Sequence, residues 1–303
     1  MTMNGKTVLI TGASSGIGLE TARGLARNGA EVIMVCRDPL RGAMAAESVG
    51  VTASGARPVV ITAELSSQES IIRLADEVRA RFRHIDVLVN NAGAVFPRRS
   101  ETVDGIECTL AVNHLAAFLL THLLMELVLA APAGRIVTVG SASYASQLDF
   151  ENLQSEKGHQ FFSAYLRTKL ANILFAFELA RRLENTPVTS NCVSPPPSRT
   201  RFGDNLTGAA AWFPLVIKRI PLLLGSAAAG ARVSIHLAAS AEVAGVSGRF
   251  FMNGRAKPTK PVTRDREIAA RLWKLSERLC ARSLAGTSIP PTAQKGERLA
   301  ASA

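Results

Sequence analysis

Tyr165 and Lys169 stand four positions apart in Ser163-Ala164-Tyr165-Leu166-Arg167-Thr168-Lys169-Leu170-Ala171-Asn172, inside a strongly helical run. Residues at that spacing share one helix face, so the ammonium is expected beside the phenol, favouring phenolate and lowering the tyrosine pKa toward neutrality. A phenol tuned in this way can give or take a proton near neutral pH. Taken alone, the pair is also what an exposed helix surface carries, and a second feature has to decide. Thr11-Gly12-Ala13-Ser14-Ser15-Gly16-Ile17-Gly18 supplies it, at the end of a first apolar strand and the start of a helix. Gly12 permits a tight turn, Gly16 lets backbone approach a pyrophosphate, and Gly18 allows the helix to pack closely. The unpaired N–H groups at the helix start attract an anion. A dinucleotide fits there, with an ordinary strand-to-helix turn as the alternative for a glycine cluster by itself.

The elements that must position these groups are legible as alternation. Runs rich in β-branched residues fall at Thr7 to Ile10, Glu31 to Cys36, Pro58 to Thr62, Ile85 to Val89, Arg135 to Val139, Val188 to Val193 and Gly248 to Met252, with helical stretches between. Seven strands joined by helices predict a single α/β domain of Rossmann type, a doubly wound, mostly parallel sheet flanked by helices over 1–282. The chain has 303 residues and is 47% hydrophobic, enough to bury one large core. Aromatics, at 5%, are too few for base-stacking platforms.

Two stretches leave that rhythm. From 196 to 225 the text is apolar but broken by Pro214 and Pro221, too interrupted for a spanning helix, and reads as a substrate flap or a peripheral membrane contact. From 283 to 303 it lacks periodicity and reads as a disordered tail. The net charge of +11 could draw nucleic acid, anionic lipid or a phosphorylated cofactor; its scatter points to a soluble basic surface and no nucleic acid. Cys36, Cys108, Cys192 and Cys280 lie far apart, without a CxxC pair or a leader-like start, which implies a reduced, cytoplasmic protein without a metal site.

TGASSGIG resembles the TGxxxGxG fingerprint of the short-chain dehydrogenase/reductase superfamily, and Asn90-Asn91-Ala92-Gly93 after the fourth strand resembles its NNAG element. With Tyr165 and Lys169 behind them, the resemblance covers roughly residues 4 to 280. It implies hydride transfer between a nicotinamide cofactor and a carbonyl or alcohol, Tyr165 moving the proton and Lys169 tuning it and gripping the ribose. Gly12, Ser14, Ser15, Gly16, Ile17 and Gly18 become the phosphate loop, and Asn91, Ala92 and Gly93 the cofactor wall. Ser141, in Gly140-Ser141-Ala142-Ser143, matches the second serine of the family's strand-end pair and would polarise the substrate oxygen, with Ser143 as the alternative. Asn113 resembles the helix asparagine that ties a water chain to the lysine; a packing role is its alternative.

Cofactor choice turns on the end of the second strand, where an acid bonds a ribose hydroxyl and a base takes a 2′-phosphate. Arg37 stands there with Arg41 behind it, so NADP(H) is preferred, while Asp38 keeps NAD(H) open. Glu64-Leu65 occupies the place of the family's Asp-Leu near the adenine. After the sixth strand the sequence gives Ser194-Pro195-Pro196-Pro197-Ser198-Arg199-Thr200, with Pro195 and Thr200 at cofactor positions and Pro196 where the family has glycine. That loop needs another path, since proline fixes φ and lacks an N–H. KLANILFAFELARRL and GRFFMNGRAKP narrow the resemblance to the retinol-dehydrogenase-like branch, which includes bacterial polyketide ketoreductases and implies a lipophilic substrate handled by a monomer or homodimer. A catalytically weak cofactor-binding or scaffold protein is the competing reading, resting on Gly140 and Pro196.

Overall fold

The computed structural model describes residues 2–198 and 225–284. Most of the expected flap and tail lies outside them, as does Thr200. An eight-stranded sheet runs in the order β3-β2-β1-β4-β5-β6-β7-β8. Its strands are β1 (Thr7–Thr11), β2 (Glu31–Cys36), β3 (Val59–Thr62), β4 (Val87–Asn90), β5 (Arg135–Val139), β6 (Thr189–Ser194), β7 (Phe250–Met252) and β8 (Arg255–Lys257). The first seven pair in parallel, and only β7–β8 is antiparallel. The sequence predicts seven strands. β8 is three exposed residues, Arg-Ala-Lys, formed by a hairpin through Asn253 and Gly254, and it carries no alternation to read. The fourth strand opens at Val87 rather than Ile85, and the Ile85 N–H goes outside the sheet to Leu127 O.

Strands buried on both faces explain the continuous apolar runs. On one face Leu9, Ile33, Val35, Ile61 and Leu88 meet α3 (Gln68–Arg81), α5 (Ala116–Leu123), α7 (Phe161–Arg182) and a C-terminal helix, α9 (Arg266–Leu279). On the other, Val8, Ile10, Val32, Met34 and Val89 meet α1 (Gly16–Arg27), α2 (Pro39–Gly50) and α8 (Ala227–Ala239). Three helices start where side-chain oxygens satisfy orphan N–H groups: Asp38 caps α2 ahead of Pro39, Ser67 caps α3, and Asp265 caps α9.

Strand order reverses between β1 and β4, so the chain leaves these neighbours in opposite directions and opens a crevice at their carboxyl ends. Before α5 the backbone passes through a short helix, α4 (Cys108–Leu110), and then a π turn, Ala111–Leu115, which carries Asn113 and His114. A further short helix, α6 (Met125–Leu129), leads to β5.

Candidate active site

Gly12 and Gly16 both take φ in the left-handed region, +67° and +57°, where a side chain would be strained. A Cβ at Gly18 would run into the Gly12 carbonyl, so α1 can approach the turn only with glycine there. Ser15 precedes the first turn of α1 and makes no side-chain cap bond, which leaves that end to an anion. The Ser14 side chain hydrogen-bonds the Cys36 thiol, while burial pushes that thiol up to about 11. Ile17 and Ser198 both meet α8 at Gly230, where a Cβ would lie 2.9 Å from Ile17 Cγ1 and 2.7 Å from Ser198 Oγ.

Thr11 and Asn91 lock this turn to β4. The Thr11 hydroxyl oxygen accepts from Asn91 N at 2.9 Å and Ala92 N at 3.0 Å, and Asn91 Nδ2 donates to Thr11 O at 2.7 Å. Asn91 therefore supports the glycine turn directly. Sequence reasoning left Thr11 off the site although it opens the motif. Gly93 comes next, its α-carbon close enough to the catalytic end that a Cβ would stand 3.8 Å from Lys169 Nζ.

At the end of β2, Asp38 Oδ1 accepts from Leu40 N at 3.0 Å and Arg41 N at 3.1 Å, and Oδ2 lies 3.6 Å from Arg41 Nε. That carboxylate is engaged by the helix start. Arg37 is well exposed, with only a 4.0 Å approach to Glu64 Oε2, a contact of little energy in water. Glu64 Oε1 accepts from Ser66 N at 3.0 Å, and Leu65 packs on the core. Both Glu64 oxygens thus face protein groups, and Leu65 acts through packing.

Tyr165 and Lys169 sit on the first half of α7, facing the end of β5. Lys169 Nζ is 5.5 Å from the Tyr165 ring centroid and donates to Val139 O at 3.0 Å. The Tyr165 hydroxyl hydrogen-bonds Ser141. Burial pushes Tyr165 up to about 12 against the lowering effect of that bond, and burial pulls Lys169 down to about 8. This reverses the expected lowering of the tyrosine by the lysine. Desolvation dominates both groups, and the phenol is held protonated, ready to donate. Ser143 is exposed, and its backbone N–H donates to Ser141 Oγ at 3.0 Å, so Ser141 is the serine brought to the phenol.

The Asn113 side chain is fully engaged. Its Oδ1 accepts from Ala94 N at 2.7 Å, and its Nδ2 donates to Ala94 O at 2.9 Å and Thr168 Oγ1 at 3.2 Å. It pins the exit of β4 to the residue before Lys169, which is the packing alternative in a functional place. In the proline loop, Ser194 Oγ donates to Pro195 O at 3.3 Å and Ser198 Oγ to Pro196 O at 2.8 Å, and Ser198 bridges to Gly225. Side-chain hydroxyls thus brace the prolines. Among the described residues no group of three or more His, Cys, Asp or Glu could hold a metal, and no helix is long and apolar enough to cross a membrane.

The profile of the short chain dehydrogenase family matches residues 6–210. Mouse retinol dehydrogenase 14 is 41% identical over 291 residues, covering 91% of this chain and 86% of that protein. A solved structure of an uncharacterized protein from Mycobacterium paratuberculosis is 32% identical with TM-score 0.73, covering 96% and 97% of the two chains. The NADP active-site complex of Pseudomonas aeruginosa RhlG is 27% identical with TM-score 0.65, covering 82% and 95%. With the glycine turn, the NNAG wall and the Ser141–Tyr165–Lys169 cluster assembled on one crevice, the chain belongs to the short-chain dehydrogenase family, oxidoreductases of alcohol and carbonyl groups, and is retinol-dehydrogenase-like in sequence.

Proposed function

We propose that the protein is an NADP(H)-dependent oxidoreductase that interconverts a carbonyl and an alcohol on a lipophilic small molecule. The observation that carries the reaction is the Ser141–Tyr165 hydrogen bond beside buried Lys169. The residues fit a dinucleotide: a helix start without a side-chain cap, a turn that only glycines can make, and Gly93 placing the wall against Lys169. When bound, the nicotinamide supplies the hydride chemistry. Ser141 and Tyr165 hold the substrate oxygen, the Tyr165 hydroxyl delivers its proton in reduction or receives one in oxidation, and Lys169 offsets the negative charge left on the phenol.

NADP(H) is favoured because Asp38 is engaged as a helix cap while Arg37 and Arg41 remain as exposed cations beside it. The RhlG complex with NADP is consistent with that preference. The retinol dehydrogenase relatives and the apolar composition of 196–225 favour a retinoid-like or polyketide-like substrate. Purified protein assayed with NADPH against retinal, long-chain aldehydes and aromatic ketones is expected to oxidise the cofactor with at least one of them. NADPH binding without turnover across the panel would overturn the enzyme reading in favour of a cofactor-binding scaffold.

A further inference from the structure

Lys169 is held at both ends of its helical turn by one irregular element. Within the π turn, Asn113 reaches Thr168, immediately before the lysine, and His114 reaches Asn172, three residues after it, with His114 Nδ1 3.3 Å from Asn172 Oδ1. Asn172 Nδ2 then donates at 3.4 Å to Val139 O, the same carbonyl that accepts from Lys169 Nζ at 3.0 Å. On its other side His114 Nε2 is 3.0 Å from Ser276 Oγ, on α9. Lys169, Asn172, His114 and Ser276 are each no more than 4% exposed, so these bonds lie away from bulk solvent. α9 lies beyond residues 6–210, the span the family profile matches.

The proton inventory fixes the direction of the chain. Val139 O can only accept, so Asn172 turns Nδ2 to it and Oδ1 to His114, the ring carries its proton on Nδ1, and Nε2 accepts from the Ser276 hydroxyl, whose other acceptor is Leu272 O at 2.9 Å, one turn back on α9. Were the Asn172 amide turned over, its oxygen would face the Val139 carbonyl and present itself to the Lys169 ammonium. His114 prevents that by donating to Oδ1. Burial holds the ring neutral, with its pKa near 4, which keeps this tautomer through the neutral range. The other titratable groups facing Lys169 are Tyr165 on its own helix and the Cys192 thiol from β6.

We infer that His114 is a positioning residue for Lys169, and that through Ser276 and Asn172 it makes the C-terminal helix part of the apparatus that sets the lysine in place. This rests on the reaction proposed above. The geometry gives the helix a task beyond covering the sheet: losing the Ser276 hydroxyl frees His114 Nε2, the ring can then change tautomer, and Asn172 is released to turn toward the lysine.

Ser276→Ala is the primary test, with Ser276→Thr as the hydroxyl-restoring variant and Ala269→Gly as a change that loosens α9 without touching the chain of bonds. In Ser276→Ala, kcat is expected to fall roughly tenfold with little change in the KM for NADPH, and the ionisation seen in the kcat–pH profile to move up by roughly half a pH unit. Ser276→Thr should recover both, and Ala269→Gly should lower Tm and move neither. A Ser276→Ala enzyme that loses Tm but keeps the wild-type pH profile overturns the inference, whatever happens to kcat. Should the wild type turn over no carbonyl, that failure belongs to the reaction. The inference is then read from the 15N side-chain amide signals of Asn172, which must shift in Ser276→Ala; unchanged signals overturn it.

Discussion

The Cβ that a side chain at residue 140 would carry falls 2.6 Å from Cys192 Sγ, so Gly140 and Cys192 share one volume between the ends of β5 and β6. The thiol fills the space that a side chain at residue 140 would take, and Gly140 N still donates to Val193 O at 2.8 Å. Gly140 is therefore a packing adaptation, and it leaves the adjoining Ser141 bonded to Tyr165. Gly140→Ser should destabilise the protein by about 1–3 kcal/mol through overpacking. Gly140→Ser with Cys192→Ala should recover most of that loss. Thermal melts of the two singles and the double form the cycle, and additive effects would show that the volumes are independent.

Tyr165→Phe removes the hydroxyl proposed to donate the proton and leaves the ring, its stack with Phe162 and its approach to Lys169 in place. Turnover is expected to drop by roughly a hundredfold to ten-thousandfold, with NADPH affinity close to wild type. Ser141→Ala, losing one stabilising donor, should cost roughly a hundredfold or more in kcat. Single-turnover oxidation of NADPH and a fluorescence titration of cofactor binding separate the two readouts. Retained kcat in Tyr165→Phe would remove the phenol from the chemistry.

The parts of this site that were legible in the sequence are those written locally. TGASSGIG encodes its own turn, Tyr165 and Lys169 encode their shared face, and the buried parallel strands announce themselves by apolar runs. What escaped is what needs two distant segments at once. Cys192 explains Gly140 only after β5 and β6 are paired, and Thr11 acts through backbone groups of Asn91 and Ala92 that the sequence cannot place. Helix spacing gives the tyrosine its neighbour but not its desolvation, and desolvation has the larger effect on its pKa. β8 is not legible because three exposed residues carry no periodicity.

The proposed cofactor preference rests on Arg37, and it can be measured from both sides. Arg37→Ala should weaken NADPH binding roughly tenfold or more, since a charge-assisted bond to phosphate contributes about 1.5–3 kcal/mol, while leaving NADH affinity near its starting value. Glu64→Gln removes the carboxylate 4.0 Å from the same guanidinium, and a 2′-phosphate would no longer meet it, so NADPH should bind somewhat more tightly. Isothermal titration with both nucleotides checks the pair of signs. Equal losses for NADPH and NADH in Arg37→Ala would mean that the arginine holds the fold of the loop and not the phosphate.

Acid sensitivity follows from two buried imidazoles. Burial lowers both His114 and His122 from 6.5 to about 4, so between those values the unfolded chain binds protons that the folded chain does not. Stability therefore rises with pH across that window and is lost as pH falls from about 6.5 toward 4, by on the order of 3 kcal/mol per histidine. His122 donates from Nδ1 to Phe118 O at 2.8 Å and packs between Phe118 and Trp273, with ring centroids at 4.1 and 5.1 Å, so a proton on Nε2 would have to enter an aromatic cluster near Arg182. Replacing His122 with Gln keeps a donor there and removes the titration. Melting temperatures recorded from pH 7.5 down to 4.5 should fall less steeply for His122→Gln than for the wild type, and parallel curves would show that the ring is not a source of the acid limb.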